Sequence, residues 1–378
     1  QKGQIIVPTG GGKTMCMIED VAFTLEARQR GQTIVIVAPR ILLAEQLCEE
    51  FLEVIDTTHT HVMHVHSGKT RYYGTTKPDK IHLFANTART AGENCIIFTT
   101  YHSLHRLVEA DIEVNNIYFD EAHNSVAKNF HIATKHFATL DHIRCYFFTA
   151  TPKHSLTPKK AGMNDFDVYG KVICQVPAPE LVDGGYILAP KVNVRQLPIS
   201  KDRNNWQRDA DYLFETIKED KKDQVLVCAR TTKQIINVIQ NTDFVESIKK
   251  IGYSWLVITS KTGAIIDGHK VTREEFFDTL NTWGKDPSKK FIVLHHSILS
   301  EGINVNGLQS VIFLRNMDYV GISQTIGRVI RLGGDTKTYG LVTIPTYDNV
   351  GISTARKVQA VVDVIFNKGE AAISEITR

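Results

Sequence analysis

The stretch Gln4-Ile5-Ile6-Val7-Pro8-Thr9-Gly10-Gly11-Gly12-Lys13-Thr14 decides the fold of this chain, because a glycine loop joins a strand to a helix. The run Gln4–Val7 has the apolar, β-branched character of a strand. After the loop, apolar residues recur at helical spacing, at Met15, Ile18, Ala22 and Leu25. A strand, a glycine loop and a helix in this order are the context of a Walker A phosphate loop. We therefore predict that this segment binds the phosphates of a nucleotide.

The residue types in the loop predict how it holds a nucleotide. Three glycines let several backbone N–H groups face one anion, and the helix N-terminus adds a partial positive charge. Lys13 is placed to reach the β- and γ-phosphates, and the Thr14 hydroxyl to ligate Mg²⁺. Val7 replaces the first glycine of the general pattern, so the generic signature is incomplete. The predicted phosphate-binding residues are Pro8, Thr9, Gly10, Gly11, Gly12, Lys13 and Thr14.

A second strand-like run, Asn116–Phe119, ends in Asp120-Glu121-Ala122-His123. Open α/β sheets bind their ligands at the carboxyl ends of strands, so these side chains are expected beside the phosphate loop. Asp120 is predicted to hold Mg²⁺ through water, since this hard ion keeps much of its hydration. Glu121 is predicted to orient and polarise the attacking water. His123 is predicted to couple the site to a second domain.

Short apolar runs alternate with helical patterns along the whole chain, which predicts βαβ units and a parallel sheet. A length of 378 residues is enough for two domains with separate cores. We predict an α/β fold with a first domain at residues 1–155, a linker region at 156–200 and a second domain at 201–378. The proline and glycine of the middle segment place the boundary there.

Composition narrows the classes of partner and of cellular setting. The net charge is only +3, so a nucleic-acid surface must be a local stripe rather than the whole protein. The six cysteines form no CxxC pair, which predicts reduced thiols and a cytoplasmic protein. No apolar run approaches the ~20 residues of a membrane span. A prokaryotic or viral setting is expected, or the nucleus in a eukaryote. The start at Gln1, without methionine, indicates a fragment.

Two further segments have residue types that are typical of binding sites, but their residues do not support a prediction of such a site. The histidine run His59–His66 contains no cysteine or carboxylate at ligand spacing, so we do not predict a metal site there. Lys69-Thr70-Arg71-Tyr72-Tyr73 mixes basic and aromatic residues and could contact a nucleic-acid strand. A solvated loop is the expected structure of this second segment.

A third motif, Ser323-Gln324-Thr325-Ile326-Gly327-Arg328-Val329-Ile330-Arg331, lies far along the chain. Arg328 and Arg331 are three residues apart, so they share one face if the segment is a helix. Arginines brought across a domain cleft stabilise the charge that develops on a transferring γ-phosphoryl group. A solvated basic helix is the alternative.

With these three motifs in order, the sequence resembles superfamily 2 helicases over nearly its whole length. PTGGGKT resembles motif I, DEAH motif II and QTIGRVIR motif VI. Further resemblances lie between them, at Ala38–Gln46 (Ia), Thr99–Ser103 (Ib), Thr149–Thr151 (III), Leu226–Thr231 (IV) and Ser300–Val305 (V). The resemblance implies two tandem RecA-like domains, with ATP and Mg²⁺ as cofactors. It implies the catalytic residues Glu121, Gln324, Arg328 and Arg331.

The same resemblance assigns further contacts. Nucleotide contacts extend to Asp120, His123, Gly302 and Asn304. Phosphate contacts to nucleic acid across both domains, on the edge opposite the nucleotide, are expected from Pro39, Arg40, Thr100, Tyr101, Thr231 and Ser300. The segment upstream of motif I, whose glutamine reads adenine in family members, has no counterpart in Gln1–Gly3.

The form of the motifs indicates a branch of the family. PTGGGKT differs from the GETGSGKT of DEAH-type RNA helicases, and QTIGR differs from the HRIGR of DEAD-box proteins. The combination resembles type III restriction motors and phage recombination helicases, which favours DNA over RNA as the partner. Three functions stay open: a helicase that unwinds a duplex, a translocase on duplex DNA without strand separation, and an RNA helicase or ATP-clamped RNA sensor. Flanking domains or subunits are possible further partners.

Overall fold

The structure is a computed structural model that describes residues 1–27, 31–196, 205–259, 261–296, 307–314, 317–333, 337–346 and 351–376. The chain forms two compact units. Unit 1 comprises Gln1–Pro8, Gly12–Val176 and Ile373–Arg378, and unit 2 comprises Thr9–Gly11 and Pro177–Ala372.

Strands and helices alternate along unit 1, as the apolar runs predicted. A short 3₁₀ helix, Ala122–Val126, follows the DEAH segment. The elements are β1 (Lys2–Ile6), α1 (Lys13–Ala27), β2 (Thr33–Ala38), α2 (Ile41–Val54), β3 (Thr60–Val65), β4 (Tyr73–Gly74), α3 (Pro78–Thr90), β5 (Asn94–Thr100), α4 (Leu104–Glu109), β6 (Asn116–Phe119), α5 (Lys128–Ala138), β7 (Arg144–Thr149), β8 (Lys153–Ser155), α6 (Phe166–Tyr169) and β9 (Val172–Gln175).

Within the described residues, unit 1 is built on an eight-stranded sheet in the order β4-β3-β5-β2-β6-β7-β1-β9. Every neighbouring pair in this sheet is parallel. The central strands are buried along their whole length, as in Thr33–Ala38, because helices cover both faces. One core packs on α3, α4 and α5 and the other on α1 and α2. All the strands therefore end at one edge of the sheet, where ligands are expected.

Unit 2 repeats this construction with different strand lengths. Its elements are α7 (Ala178–Asp183), β10 (Pro190–Gln196), α8 (Asn205–Asp220), β11 (Gln224–Cys228), α9 (Thr232–Gln240), α10 (Phe244–Lys250), β12 (Ser254–Thr259), β13 (Gly263–Ile266), β14 (His269–Val271), α11 (Arg273–Lys285), β15 (Phe291–His295), β16 (Ser310–Phe313), α12 (Tyr319–Val329), β17 (Gly340–Thr346), α13 (Ile352–Val362) and a π-helical turn, Asp363–Asn367. A last strand, β18 (Ser374–Ile376), pairs with β8 in unit 1.

The sheet of unit 2 has the order β10-β17-β16-β11-β15-β12-β13-β14. It is parallel from β10 to β12 and antiparallel at the hairpins that add β13 and β14. A core on one side packs α8, α9 and α10 against the strands. The predicted α/β class, two mostly parallel sheets flanked by helices, is confirmed.

The division between the two units falls after Val176, inside the segment 156–200 in which the boundary was expected. This segment is not without structure, because it contains α6, β9, α7 and β10. β9 pairs with β1, so the chain stays with unit 1 until Val176. All four residues of β9, which is an edge strand, are exposed.

Candidate nucleotide site and nucleic-acid edge

The phosphate loop has the predicted local structure: β1 ends at Ile6 and α1 begins at Lys13. Val7 is buried, and its N–H donates to the Thr149 carbonyl at 3.1 Å, so it extends the sheet rather than the loop. Gly10 and Gly12 have φ values of 86° and 88°, in a region where a side chain would be strained. The position of Val7 explains why the loop does without the first glycine of the general pattern.

Two acidic side chains lie next to the loop lysine. The Lys13 Nζ atom is 3.7 Å from Oε1 of Glu121, and both side chains are buried. Asp120 follows β6 and is buried too, with its backbone N–H donating to the Val37 carbonyl at 2.9 Å. The strand order β6-β7-β1 accounts for this proximity, because only β7 separates the two strand ends.

The electrostatics of Asp120 fit a cation. Burial raises the pKa of this carboxyl most, the neighbouring Glu121 charge raises it further, and Lys13 lowers it. Because burial disfavours the ionised form of Asp120, a cation bound beside this carboxylate would stabilise it. Mg²⁺ prefers such oxygen ligands, and the Thr14 hydroxyl at the start of α1 adds another. The residues present fit the metal–nucleotide complex that the motifs predict.

The backbone of Glu121 is strained. Its φ of 46° and ψ of 52° place a non-glycine residue in the left-handed region. The 3₁₀ helix that follows is tied back to it, since the Asn124 side-chain amide donates to the Glu121 carbonyl at 2.9 Å. Strain of this kind persists where the surrounding structure holds a side chain in one direction.

His123 connects the acidic segment to the end of β7. Its Nδ1 atom lies 3.6 Å from Oε2 of Glu121 and 3.0 Å from the Thr149 hydroxyl. The Thr151 backbone N–H donates to that same hydroxyl at 3.1 Å, and the Thr151 hydroxyl lies 3.5 Å from Nδ1 of His123. Motif II and motif III are thus joined by side-chain contacts within unit 1.

Tyr101 and Thr100 require a correction. The resemblance assigned both to nucleic acid, but the Tyr101 side chain is only 1% exposed and Thr100 is also buried. The Tyr101 hydroxyl donates to the Asp120 carbonyl at 2.7 Å. Tyr101 therefore supports the backbone of the acidic segment. Sequence reasoning missed this role because no local pattern shows the direction of a side chain after a strand.

The edge on which nucleic acid was expected also requires a correction. Arg40 is exposed and follows β2, whereas Pro39 is buried. Because β1, β2 and β6 are parallel strands of one sheet, Arg40 lies at the same edge as Lys13 and Asp120, not the opposite one. Within unit 1 the nucleotide residues and Arg40 occupy different strands of that edge.

Unit 2 carries the remaining predicted residues. Gln324 and Arg328 lie in α12 and are 5% and 4% exposed, so the solvated-helix alternative does not describe them. The helix ends at Val329, so Arg331 lies beyond it and does not share a helical face with Arg328. The Thr231 side chain accepts a hydrogen bond from the Gln234 N–H and caps α9. Ser300, Gly302 and Asn304 lie outside the described residues.

The histidine run forms a packed pair rather than a cluster. His64 and His66 are buried, with Nδ1 of His64 2.9 Å from Nε2 of His66. Among the described residues, no three histidine, cysteine, aspartate or glutamate side chains form a group suited to a metal ion.

Residues 1–154 match the family model described as the res subunit of type III restriction enzymes. This part of the chain is therefore similar to ResIII domains, which are superfamily 2 helicase-type domains. The matched residues contain the phosphate loop, the DEAH segment and the Thr149–Thr151 segment described above. The resemblance to superfamily 2 is thereby confirmed.

Solved structures extend the likeness beyond these matched residues. The ATP-dependent Type ISP restriction-modification enzyme LlaBIII, bound to DNA, gives a TM-score of 0.75 at 19% identity, over 100% of this chain and 30% of that one. A nuclease-deletion mutant of the Type ISP enzyme LlaGI, with a DNA substrate mimic, gives 0.67 at 21% identity, over 99% and 28%. S. cerevisiae Dbp5, bound to RNA and ADP BeF3, gives 0.56 at 14% identity, over 100% and 85%. These likenesses show the RecA-like helicase fold.

The chain spans less than a third of the length of the two Type ISP enzymes, 30% and 28%. No curated protein sequence matches the chain. In the described part of the chain, no helix is both long and apolar enough to cross a membrane.

Proposed function

We propose that the chain is an ATP-hydrolysing motor that acts on nucleic acid, with DNA as its track and strand separation as its output. The observation that carries the proposal is the buried group of Lys13, Asp120 and Glu121 at the strand ends of the part similar to ResIII domains. Phosphoryl transfer to water needs a lysine for the phosphates, a carboxylate for the metal ion and a glutamate for the water. Lys13, Asp120 and Glu121 supply these groups, and Glu121 has a strained backbone. Restriction motors among the structural neighbours support DNA as the track.

Each residue has a role in the proposed hydrolysis. Gly10, Gly12 and Lys13 hold the phosphates, and Thr14 and Asp120 hold Mg²⁺. When bound, Mg²⁺ neutralises charge on the β- and γ-phosphates. Glu121 orients the attacking water and accepts its proton as the bond from the water oxygen to the γ-phosphorus forms, while the bond from that phosphorus to the β–γ bridging oxygen breaks and ADP leaves.

Residues outside the phosphate site complete the proposed cycle. His123 contacts Glu121 on one side and Thr149 and Thr151 on the other. A change at Glu121 during hydrolysis therefore reaches both threonines through His123. We assign a shared role to Gln324, Arg328 and Arg331: they stabilise the negative charge on the transferring γ-phosphoryl group and on the leaving ADP.

A second function rests on the family match. Type III restriction enzymes give the family its description, so movement along duplex DNA without strand separation is the alternative output. Both functions use the same nucleotide chemistry, and they differ in whether two strands come apart. RNA as the track is the remaining alternative, and the RNA-bound neighbour supports it.

The experiment measures ATP hydrolysis with single-stranded DNA, duplex DNA and RNA, with Glu121→Gln as the blank and Glu109→Gln as the matched control. Glu109 is an exposed residue of the same unit that pairs with Arg106. We expect one nucleic acid to stimulate hydrolysis, and Glu121→Gln to lower the rate by roughly 10²-fold or more, because it removes the base that orients water. Glu109→Gln is expected to retain the wild-type rate.

A strand-displacement assay on a tailed duplex then separates the outputs. Displacement supports a helicase, whereas duplex-stimulated hydrolysis without displacement supports a translocase. Equal rates for the wild type and Glu121→Gln on every nucleic acid, in this chain and in a longer protein that contains it, would overturn the proposal.

A further inference from the structure

The segment after β3 combines basic and aromatic side chains with a lack of acidic ones. From Thr57 to Pro78 the sequence contains no aspartate or glutamate, whereas Lys69, Arg71 and Lys77 are all present. Lys69 and Arg71 are exposed. This composition gives the segment a local positive potential that attracts phosphates, although the net charge of the chain is only +3.

The segment lies at the edge of the sheet that also carries Arg40. β3 lies beside β5, and β5 beside β2, so the residues after β3 and after β2 emerge at the same edge. A Cβ atom on Gly68 would lie 2.5 Å from Cγ2 of Ile41, the first residue of α2. The loop after β3 therefore packs directly against the residue that follows Arg40.

Two local hydrogen bonds lie within this loop. The Gly68 N–H donates to Nδ1 of His66 at 3.1 Å, and the Tyr72 N–H donates to the Thr70 hydroxyl at 3.3 Å. Because Nδ1 of His66 accepts, its Nε2–H is the donor towards Nδ1 of His64, at 2.9 Å. The segment is a loop with exposed basic and aromatic side chains, as expected from sequence, and these contacts lie within it.

Tyr72 ends a column of stacked rings. Its ring centroid lies 6.1 Å from that of His64, with 20° between the planes. His64 stacks in turn on Phe98, at 5.6 Å and 26°. Phe98 meets Phe51 edge-on at 5.6 Å. His64, Phe98 and Phe51 are buried, whereas Tyr72 is 42% exposed, so the core fixes a ring whose outer part faces solvent.

We propose that Tyr72 is a stacking platform for an unpaired base of a single strand, with Lys69 and Arg71 binding the flanking phosphates. An aromatic face beside cations is the combination that binds single strands without reading their sequence. A duplex offers its phosphates to the same cations but no free base face, so the two kinds of ligand are distinguishable. The inference rests on the proposed function, and it assigns the single strand as the form of nucleic acid that this edge holds.

Tyr73 provides a matched control. It is the next residue, is 44% exposed, and stacks on Phe84 at 5.0 Å with 7° between the planes. Its ring rests on α3 instead of on the column that ends in His64. A general effect of losing an exposed tyrosine from this loop would be the same at both positions.

The test measures the dissociation constants of the full chain for a single-stranded 2-aminopurine oligonucleotide and for a duplex of the same length. We expect Tyr72→Ala to weaken single-strand binding by roughly five- to fiftyfold and to abolish the quenching of 2-aminopurine, because a base stack is lost. Tyr72→Trp is expected to restore both signals. Duplex affinity is expected to stay at the wild-type value in Tyr72→Ala, and Tyr73→Ala to match the wild type throughout.

Lys69→Ala with Arg71→Ala tests the phosphate contacts. The double variant is expected to reduce the salt dependence of binding for both the single strand and the duplex. Wild-type single-strand affinity in Tyr72→Ala, or an equal loss for single strand and duplex, would overturn the inference. Failure of the proposed function has a different signature, because the wild type would then show no nucleic-acid-stimulated hydrolysis whatever Tyr72 does.

Discussion

Glu121 adopts a left-handed backbone that costs a non-glycine residue about 1–2 kcal/mol. We expect Glu121→Gly to have a higher free energy of unfolding than Glu121→Ala by about 1 kcal/mol, since glycine adopts this conformation without a Cβ clash. Both variants are expected to lose hydrolysis. Urea unfolding midpoints of the two variants provide the measurement.

Asp111 supplies the control for this comparison. It also has a positive φ, 48°, and it is exposed and carries no predicted function. Asp111→Gly and Asp111→Ala are expected to differ by a similar amount. If the two Glu121 variants unfold at the same urea concentration while the Asp111 pair differs, the backbone of Glu121 is not strained, and its geometry does not reflect a selected direction of the side chain.

At the scale of elements, the Thr149 hydroxyl at the end of β7 joins two motifs through His123. Thr149→Val keeps the volume of the side chain and removes the hydrogen bond, which is worth about 1 kcal/mol. We expect the ratio of nucleic-acid-stimulated to basal hydrolysis to fall by roughly fivefold, because His123 loses its link to β7. Steady-state hydrolysis rates with and without the stimulating strand measure this ratio.

Thr139→Val is the matched variant, because its hydroxyl bonds only carbonyls of its own helix, α5. It is expected to keep the wild-type ratio. A proportional fall of basal and stimulated rates in Thr149→Val would contradict a coupling role and indicate damage to the nucleotide site itself.

At the scale of the whole molecule, buried histidines predict acid sensitivity. Burial, with the nearby His66 charge, lowers the pKa of His64 to about 4, and burial lowers the pKa of His66 as well. The unfolded chain binds protons near pH 6.5 and the folded chain does not, so protonation favours unfolding. The contribution is fully present above pH 6.5 and is lost as the pH falls towards 4. We expect the Tm to fall over that window, and less steeply in His64→Phe.

Thermal unfolding at several pH values tests this expectation. His142→Gln, at an exposed histidine of the same unit, is expected to follow the wild-type pH dependence. Parallel curves for the wild type and His64→Phe between pH 7.5 and pH 5 would show that His64 does not contribute to the acid sensitivity.

How much the sequence could predict depends on how local the signal is. The run Asn116–Phe119 is a strand with the predicted bounds, because a buried parallel strand is a continuous apolar run. The sequence signal for the phosphate loop from Pro8 to Thr14 was also local. Tertiary contacts decide three features that the sequence could not predict. They are the direction of the Tyr101 side chain, the end of α12 before Arg331 and the edge strand β9.

The return of β18 to β8 has a consequence for biosynthesis. Ser374–Ile376 are among the last described residues to leave the ribosome, yet Ile376 packs on a core of unit 1 whose other strands are made first. A domain made of contiguous sequence can fold as soon as it emerges. Unit 1 is not contiguous in sequence, so the pairing of β18 with β8 forms only after residues 177–372 of unit 2 have been translated.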